Sequence, residues 1–329
     1  MLDVRRSNSI LPTSLSPNSL TTPPFFFHGG HGTTVPDNLY LLLPLTSAIL
    51  YAIGSLGLRA AAQEGVSPWR SIFMANVISA AAFQIYLRGW PTPEVPAEWL
   101  PVLGLGLLFF CGNILTVLSL TYGDVSIATP VLAAKVVIVV AMLAVLGDGN
   151  VTGTTWVAGG LTVAGVGLLQ IQGKNHPRHH HVLLTILLSL AASTCFAGFD
   201  IGVQSLSARH GFHRVAPYAI LTAAVLSLAL LPLCNMRYRE IPTKAKRFIW
   251  IGAGLVTLQA TLLIYSLGTF QDAAGINIVY GSRGLWGIFM VWAIGKHFGN
   301  RELQTNRGVF KFRIAGAVCI VTAIGLVFM

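Results

Sequence analysis

The sequence predicts an all-α integral membrane protein of ten transmembrane helices, arranged as two inverted five-helix repeats. Three observations predict it. Of 329 residues, 54% are apolar and only 10% are charged, against roughly 25% charged in a soluble domain. The apolar residues fall in ten runs, each near the ~20 residues a helix needs to cross a bilayer's hydrocarbon. A set of polar landmarks then recurs at one fixed offset along the chain.

Residues 1–36 are rich in Ser, Thr, Pro and Gly and hold no sustained apolar run, the composition of a disordered tail. Arg5 and Arg6 do not precede the apolar stretch of a secretory signal, so no cleaved signal peptide is expected. The spans are predicted at 38–58, 69–88, 98–119, 124–147, 154–172, 182–204, 215–234, 247–267, 272–295 and 309–329. Turn formers mark the gaps between them, among them Pro68, Pro91, Pro93, Pro96, Pro177, Pro242 and Asn300. Continuous runs of this length select helices over a barrel, because a helix pairs its own backbone amides in lipid. The first repeat occupies 37–173, a His-rich linker 174–181 and the second repeat 182–329.

The repeat rests on the fourth and ninth spans. Asp124 opens the first and Asp272 the second; a base follows eleven residues later, at Lys135 and Arg283. Gly147 and Gly295 close the two spans in the same frame, so three landmarks share an offset of 148 residues. The next span of each half echoes the other, from Val157, Ala158 and Gly159 to Gly167, and from Ile314, Ala315 and Gly316 to Gly325. Asn113 and Gln259 stand at looser, near-equivalent places upstream. Five spans per half is an odd number, so the second half enters with the opposite orientation, the plan of many secondary transporters.

Lys135 and Arg283 sit about 16–17 Å along the helix axis from the aspartate that precedes each, too far to pair with it. Asp124 and Asp272 belong at helix N-termini, where they suit the macrodipole and can cap. A cation at the bilayer centre costs roughly 2.5–3.5 kcal/mol and must face the bundle interior or water. Two readings account for the pair. Asp200, the acid placed deepest in a span, neutralises a cation; or the two cations converge across the repeat axis and hold an anionic solute, Arg283 through two oxygens and Lys135 as a point charge. Asn277 and Tyr280 share one helix face with Arg283 and can orient a solute. With Asn113 and Gln259 they complete the expected substrate-binding set, and Asp200 is a candidate carrier of a coupling proton. Thr116, Ser119, Gln204 and Tyr265 read as interhelical hydrogen-bonding groups.

Small residues at Gly159, Gly160, Gly165 and Gly167, and at Gly281, Gly284 and Gly287, predict close helix packing. Cys111, Cys195, Cys234 and Cys319 show no Cys-x-x-Cys spacing and read as packing residues. His176, His179, His180 and His181 lack fixed helical spacing and read as a solvated linker, not a metal site. No Walker loop, nucleophile elbow, zinc-protease motif or paired carboxylates occur. The net charge of +10 lies in short loops between spans, which argues topology and not nucleic-acid binding.

Ten spans in two repeats, with the stretch from Ala128 through Lys135 to Gly147 and Asp148 and then Ala158 to Gly167, resemble the EamA-like drug/metabolite transporter superfamily. The resemblance covers about 38–329. In its triose-phosphate and nucleotide-sugar branches basic residues on the fourth and ninth helices hold phosphate, and Lys135 and Arg283 look like their counterparts. Asp148 matches the acid that follows the long helix in this family, whereas Lys296 departs from it. The loops on the termini side carry Arg5, Arg6, Arg88, Arg209 and Arg214, and the opposite side carries fourteen basic residues. The positive-inside rule therefore predicts both termini outside, against the family's usual cytoplasmic termini.

The function expected is a secondary transporter or exchanger of a small anionic metabolite, in a multi-pass protein of the plasma (inner) membrane. Its partners are that solute and the surrounding lipid, with no cofactor, no metal, no nucleic acid and no enzymatic activity. Two alternatives come from other classes. A membrane-embedded lipid-modifying transferase would draw on the linker histidines; a structural or sensory membrane protein would use the buried charges for packing alone.

Overall fold

Long apolar runs without interrupting charges fold as helices, each pairing its own backbone groups. The computed structural model describes residues 38–87, 99–123, 125–146, 151–171, 182–234, 238–294 and 307–329. Its α-helical segments are α1 (Leu42–Gln63), α2 (Pro68–Leu87), α3 (Trp99–Tyr122), α4 (Val125–Ala133), α5 (Lys135–Leu146) and α6 (Gly153–Leu169) in the first half. The second half holds α7 (Val182–His210), α8 (Phe212–Leu226), α9 (Thr243–Phe270), α10 (Ala273–Tyr280), α11 (Arg283–Ile294) and α12 (Arg307–Phe328). A 3-10 turn, Leu39–Leu41, leads into α1, and another, Ser227–Leu233, prolongs α8. Seven helices among the described residues are long and apolar enough to cross a membrane. The tail at 1–36, the linker at 174–181 and positions Asp124, Gly147, Asp148, Gly295 and Lys296 lie outside the described residues.

The two long central spans differ from expectation, since each is two helices. In the first, Pro130 lies inside α4; it lacks an N–H and its ring crowds the carbonyl one turn back. The ladder gives way four residues later, where Ala134 N–H bonds Val131 O at 3.0 Å, an i−3 contact. In the second, Gly281 and Ser282 form the turn, with Ser282 N–H bonding Val279 O at 3.1 Å. Both breaks fall immediately before the base, so Lys135 opens α5 and Arg283 opens α11.

The bundle packs α1 against α9, α3 against α7, and α6 against α12, with α2 and α8 in contact beside them. Close approach is confined to particular glycines. Gly54 and Gly57 of α1 meet Gly252 of α9, and Gly165 of α6 meets Gly316 of α12. Of the small residues expected to mediate packing, Gly165 and Gly281 do so, Gly281 against Thr162. Gly160, Gly167 and Gly287 have nothing within 4 Å, so the small-residue packing is narrower than the sequence suggested. All four cysteines are free thiols.

Side-chain contacts define the two ends of the bundle. At one end Lys244 Nζ bonds Glu64 at 2.6 Å, and Ser119 and Ser189 hydroxyls pair at 2.5 Å. At the other, Asn38 Nδ2 donates to Phe328 O at 3.0 Å, and Gln204 Oε1 accepts from Ala273 N–H at 2.7 Å. Asp272 works at this second end as the sequence predicts: its carboxylate accepts from Gly275 N–H at 2.9 Å and caps α10. It also accepts from Tyr40 Oη at 2.7 Å, which ties α10 to the start of α1. Asp272→Ala is expected to remove about 1–2 kcal/mol of stability. Thermal melting of purified protein checks this, with Asp272→Asn, which keeps the cap acceptor, recovering most of the loss.

Candidate functional site

Breaking the central spans places their polar residues around a common space. A cavity of about 420 Å³ lies between α1, α4, α6, α11 and α12. Its wall carries Arg59 near the end of α1, Gln170 beyond α6 and Arg313 near the start of α12, so it opens at the Glu64–Lys244 end. At depth it reaches Lys135, Asn277, Tyr280 and Arg283. The described wall thus presents four basic side chains and no carboxylate.

Lys135 is 7% exposed, and the reason it tolerates burial lies behind the wall. Its Nζ stands 2.6 Å from Asp200 Oδ2, on α7, and Asp200 is 2% exposed. The same oxygen accepts from Asn277 Nδ2 at 2.8 Å, and that amide also donates to Ala273 O at 2.9 Å. A buried carboxylate is stable when paired and hydrogen-bonded in this way. The first of the two readings of the buried charges, neutralisation by Asp200, therefore holds for Lys135.

Arg283 is held differently. Its guanidinium carbon lies 4.7 Å from the centre of the Tyr280 ring and 5.2 Å from that of Tyr51. The two rings meet edge to face at 6.2 Å. No carboxylate pairs with Arg283 among the described residues. Tyr280 is fixed from behind, its hydroxyl donating to Gln259 Oε1 at 2.5 Å, and its ring also lies 5.8 Å from Lys135 Nζ. Tyr280 therefore touches both bases, while Gln259 sits one layer out.

Lys135, Arg283, Asn277 and Tyr280 are brought together on the wall, and Asp200 directly behind it. Gln259 supports Tyr280 without lining the cavity, and Asn113 turns away, its Nδ2 donating to Phe109 O of its own helix at 3.0 Å. Sequence reasoning missed Tyr51, Arg59 and Arg313. Arg59 falls one residue beyond the first predicted span and Arg313 just inside the last, and both read as basic residues of one membrane side. For Tyr51 there was no signal beyond a lone aromatic in a span.

A second cavity of about 320 Å³ lies at the opposite end, bordered by Thr152, Thr155, Gln204 and Asp272. Val136 lines the first cavity and Ile278 the second, and the two pack with Ala158 and Ala323 in one buried cluster. That apolar layer separates the cavities.

Residues 38–171 match the model of the EamA-like transporter family. With seven helices among its described residues long and apolar enough to cross a membrane, the chain is a multi-pass integral membrane protein. A solved structure, described only as the crystal structure of a protein, covers 87% of this chain and 95% of its own at a TM-score of 0.69. At 15% identity the likeness is one of fold. No curated protein sequence matches the chain.

Proposed function

We propose that the chain is a secondary transporter or exchanger of a small organic anion, which it binds between the broken central helices and exposes to each side in turn. The observation that carries this reading is the cavity wall, with Lys135, Arg283, Arg59 and Arg313 on it and no carboxylate among its described residues. Such a wall attracts anions and opposes cations. Lys135, Arg283, Asn277 and Tyr280 form the binding set, with Gln259 positioning Tyr280.

Alternating exposure is supported by the two cavities at opposite ends and the apolar layer of Val136 and Ile278 between them. An inverted repeat of 37–173 and 182–329 is supported by the packing pairs. Exchanging the halves turns α1 against α9 into α7 against α3, and α2 against α9 into α8 against α3; α6 against α12 maps onto itself. The helix breaks before Lys135 and Arg283 fall in the same 148-residue register. The mouth of the first cavity lies at the end bearing Lys244, Lys246 and Arg247, which the positive-inside rule assigns to the cytoplasm.

Uptake into liposomes holding the purified protein tests the reading, with labelled organic anions outside and unlabelled ones within. Saturable uptake above protein-free vesicles is the expected result, and Lys135→Gln, which leaves Asp200 unpaired beside the site, lowers it by about tenfold or more. Absence of uptake across a broad anion panel, or uptake indifferent to Lys135→Gln, would overturn it.

A further inference from the structure

Three ionised groups meet at the depth of the cavity: Lys135, Asp200 and Arg283. They are not equivalent. Lys135 and Asp200 are in contact at 2.6 Å, so for a third group farther off their fields largely cancel. Asp200 is held in place by Asn277 as well and, at 2% exposed, stays behind the wall. Arg283 faces the rings of Tyr280 and Tyr51, which attract a cation without carrying charge. Among these three groups the floor therefore offers one net positive charge, centred on Arg283; Arg313, one turn before Gly316 on α12, lies nearer the mouth beside Gln170.

We infer that the solute is an organic monoanion gripped by Arg283, and that the Lys135–Asp200 pair sets this charge selectivity by withholding the second cation. The inference rests on the anion-transport reading above. A doubly charged solute would bring an uncompensated negative charge against Leu132, Val136, Val166 and Leu169, which line the same space. Those apolar walls suit a carbon skeleton, which an inorganic oxyanion lacks. Arg59 belongs to the approach, since it lies eight residues, about 12 Å, along α1 from Tyr51. At that distance it does not balance a second charge at the floor.

Isosteric acid pairs that differ by one charge isolate the effect: succinate with succinamate, glutarate with glutaramate, and phthalate with phthalamate. Affinities come from melting shifts of the full-length protein in detergent, and the best pair is then followed as uptake into liposomes. The wild type is expected to favour the monoanion by about tenfold or more. Asp200→Asn frees Lys135 and is expected to reverse that preference. Combining Lys135→Gln with Asp200→Asn removes both charges of the pair, and the monoanion-to-dianion ratio returns to within about twofold of wild type, at reduced affinity. A wild-type preference for the diacids overturns the inference and leaves anion transport standing, as does an Asp200→Asn variant that ranks the pairs as wild type does. If Asp200→Asn does not fold, the double variant decides: an unchanged ratio supports the inference, and a lost or inverted one overturns it. A wild type that neither binds nor takes up any member fails the anion-transport reading itself.

Discussion

Arg283→Gln is expected to lower anion uptake by about a hundredfold or more while the protein still folds. The size of the effect follows from where the charges are. Lys135 is answered at 2.6 Å by Asp200, so removing Arg283 leaves a floor with no net positive charge. An anion entering such a space gives up its hydration and gains no charge-assisted bond, a deficit of roughly 3 kcal/mol. Folding depends on Arg283 far less. Its described contacts are the faces of Tyr51 and Tyr280, worth about 1 kcal/mol each at a partly buried site. Arg283→Lys keeps the charge but loses the planar fork that lies against the Tyr51 and Tyr280 rings and can grip two oxygens, and intermediate uptake is expected. Initial rates in liposomes, read beside melting temperatures, separate the two effects. An Arg283→Gln variant that melts normally and transports normally would remove Arg283 from the site.

The spans were legible because an uninterrupted apolar run of about twenty residues has one outcome in lipid. Their ends were less so. The seventh helical segment continues to His210 and α1 to Gln63, beyond the apolar runs, since a helix projecting from the bilayer is no longer constrained by hydropathy. The helix breaks were present in the sequence as Pro130 and as Gly281 with Ser282. Whether a proline kinks or interrupts a span depends on what fills the space around it, and that information is spread over α6 and α7. Burial of Lys135 beside Asp200 was foreseeable as chemistry, because few acids lie deep in any span. The register of α5 on α7 that delivers 2.6 Å was not. Asn113 shows the reverse failure: an amide within a span suggested a ligand, and its hydrogen bond goes one turn back along its own helix to Phe109.

Gly316→Leu is expected to be the most disruptive single substitution outside the cavity. A Cβ on Gly316 would stand 2.6 Å from Gly165 O and 3.0 Å from Leu169 N, and one on Gly165 would stand 2.8 Å from Gly316 O. Those neighbours are backbone atoms, which cannot rotate aside, so a larger residue must push α6 and α12 apart. Within hydrocarbon no hydrophobic force draws them together again, because lipid tails fill the gap as readily as a side chain does. The dispersion contacts along the seam are lost, and a destabilisation of roughly 3 kcal/mol or more follows. The damage reaches the site, since Leu169, Val166 and Arg313 all lie on the cavity wall and belong to these two helices. Gly160→Leu supplies the control, for Gly160 occupies the same α6 with nothing within 4 Å of its added Cβ. It should melt within about 1 kcal/mol of wild type, or slightly above it, because leucine favours a helix over glycine. Thermal melts of the two variants, with uptake measured on whichever remains folded, distinguish a glycine required by close approach from one that merely sits in a span. Equal melting of Gly316→Leu and Gly160→Leu would refute the close seam between α6 and α12.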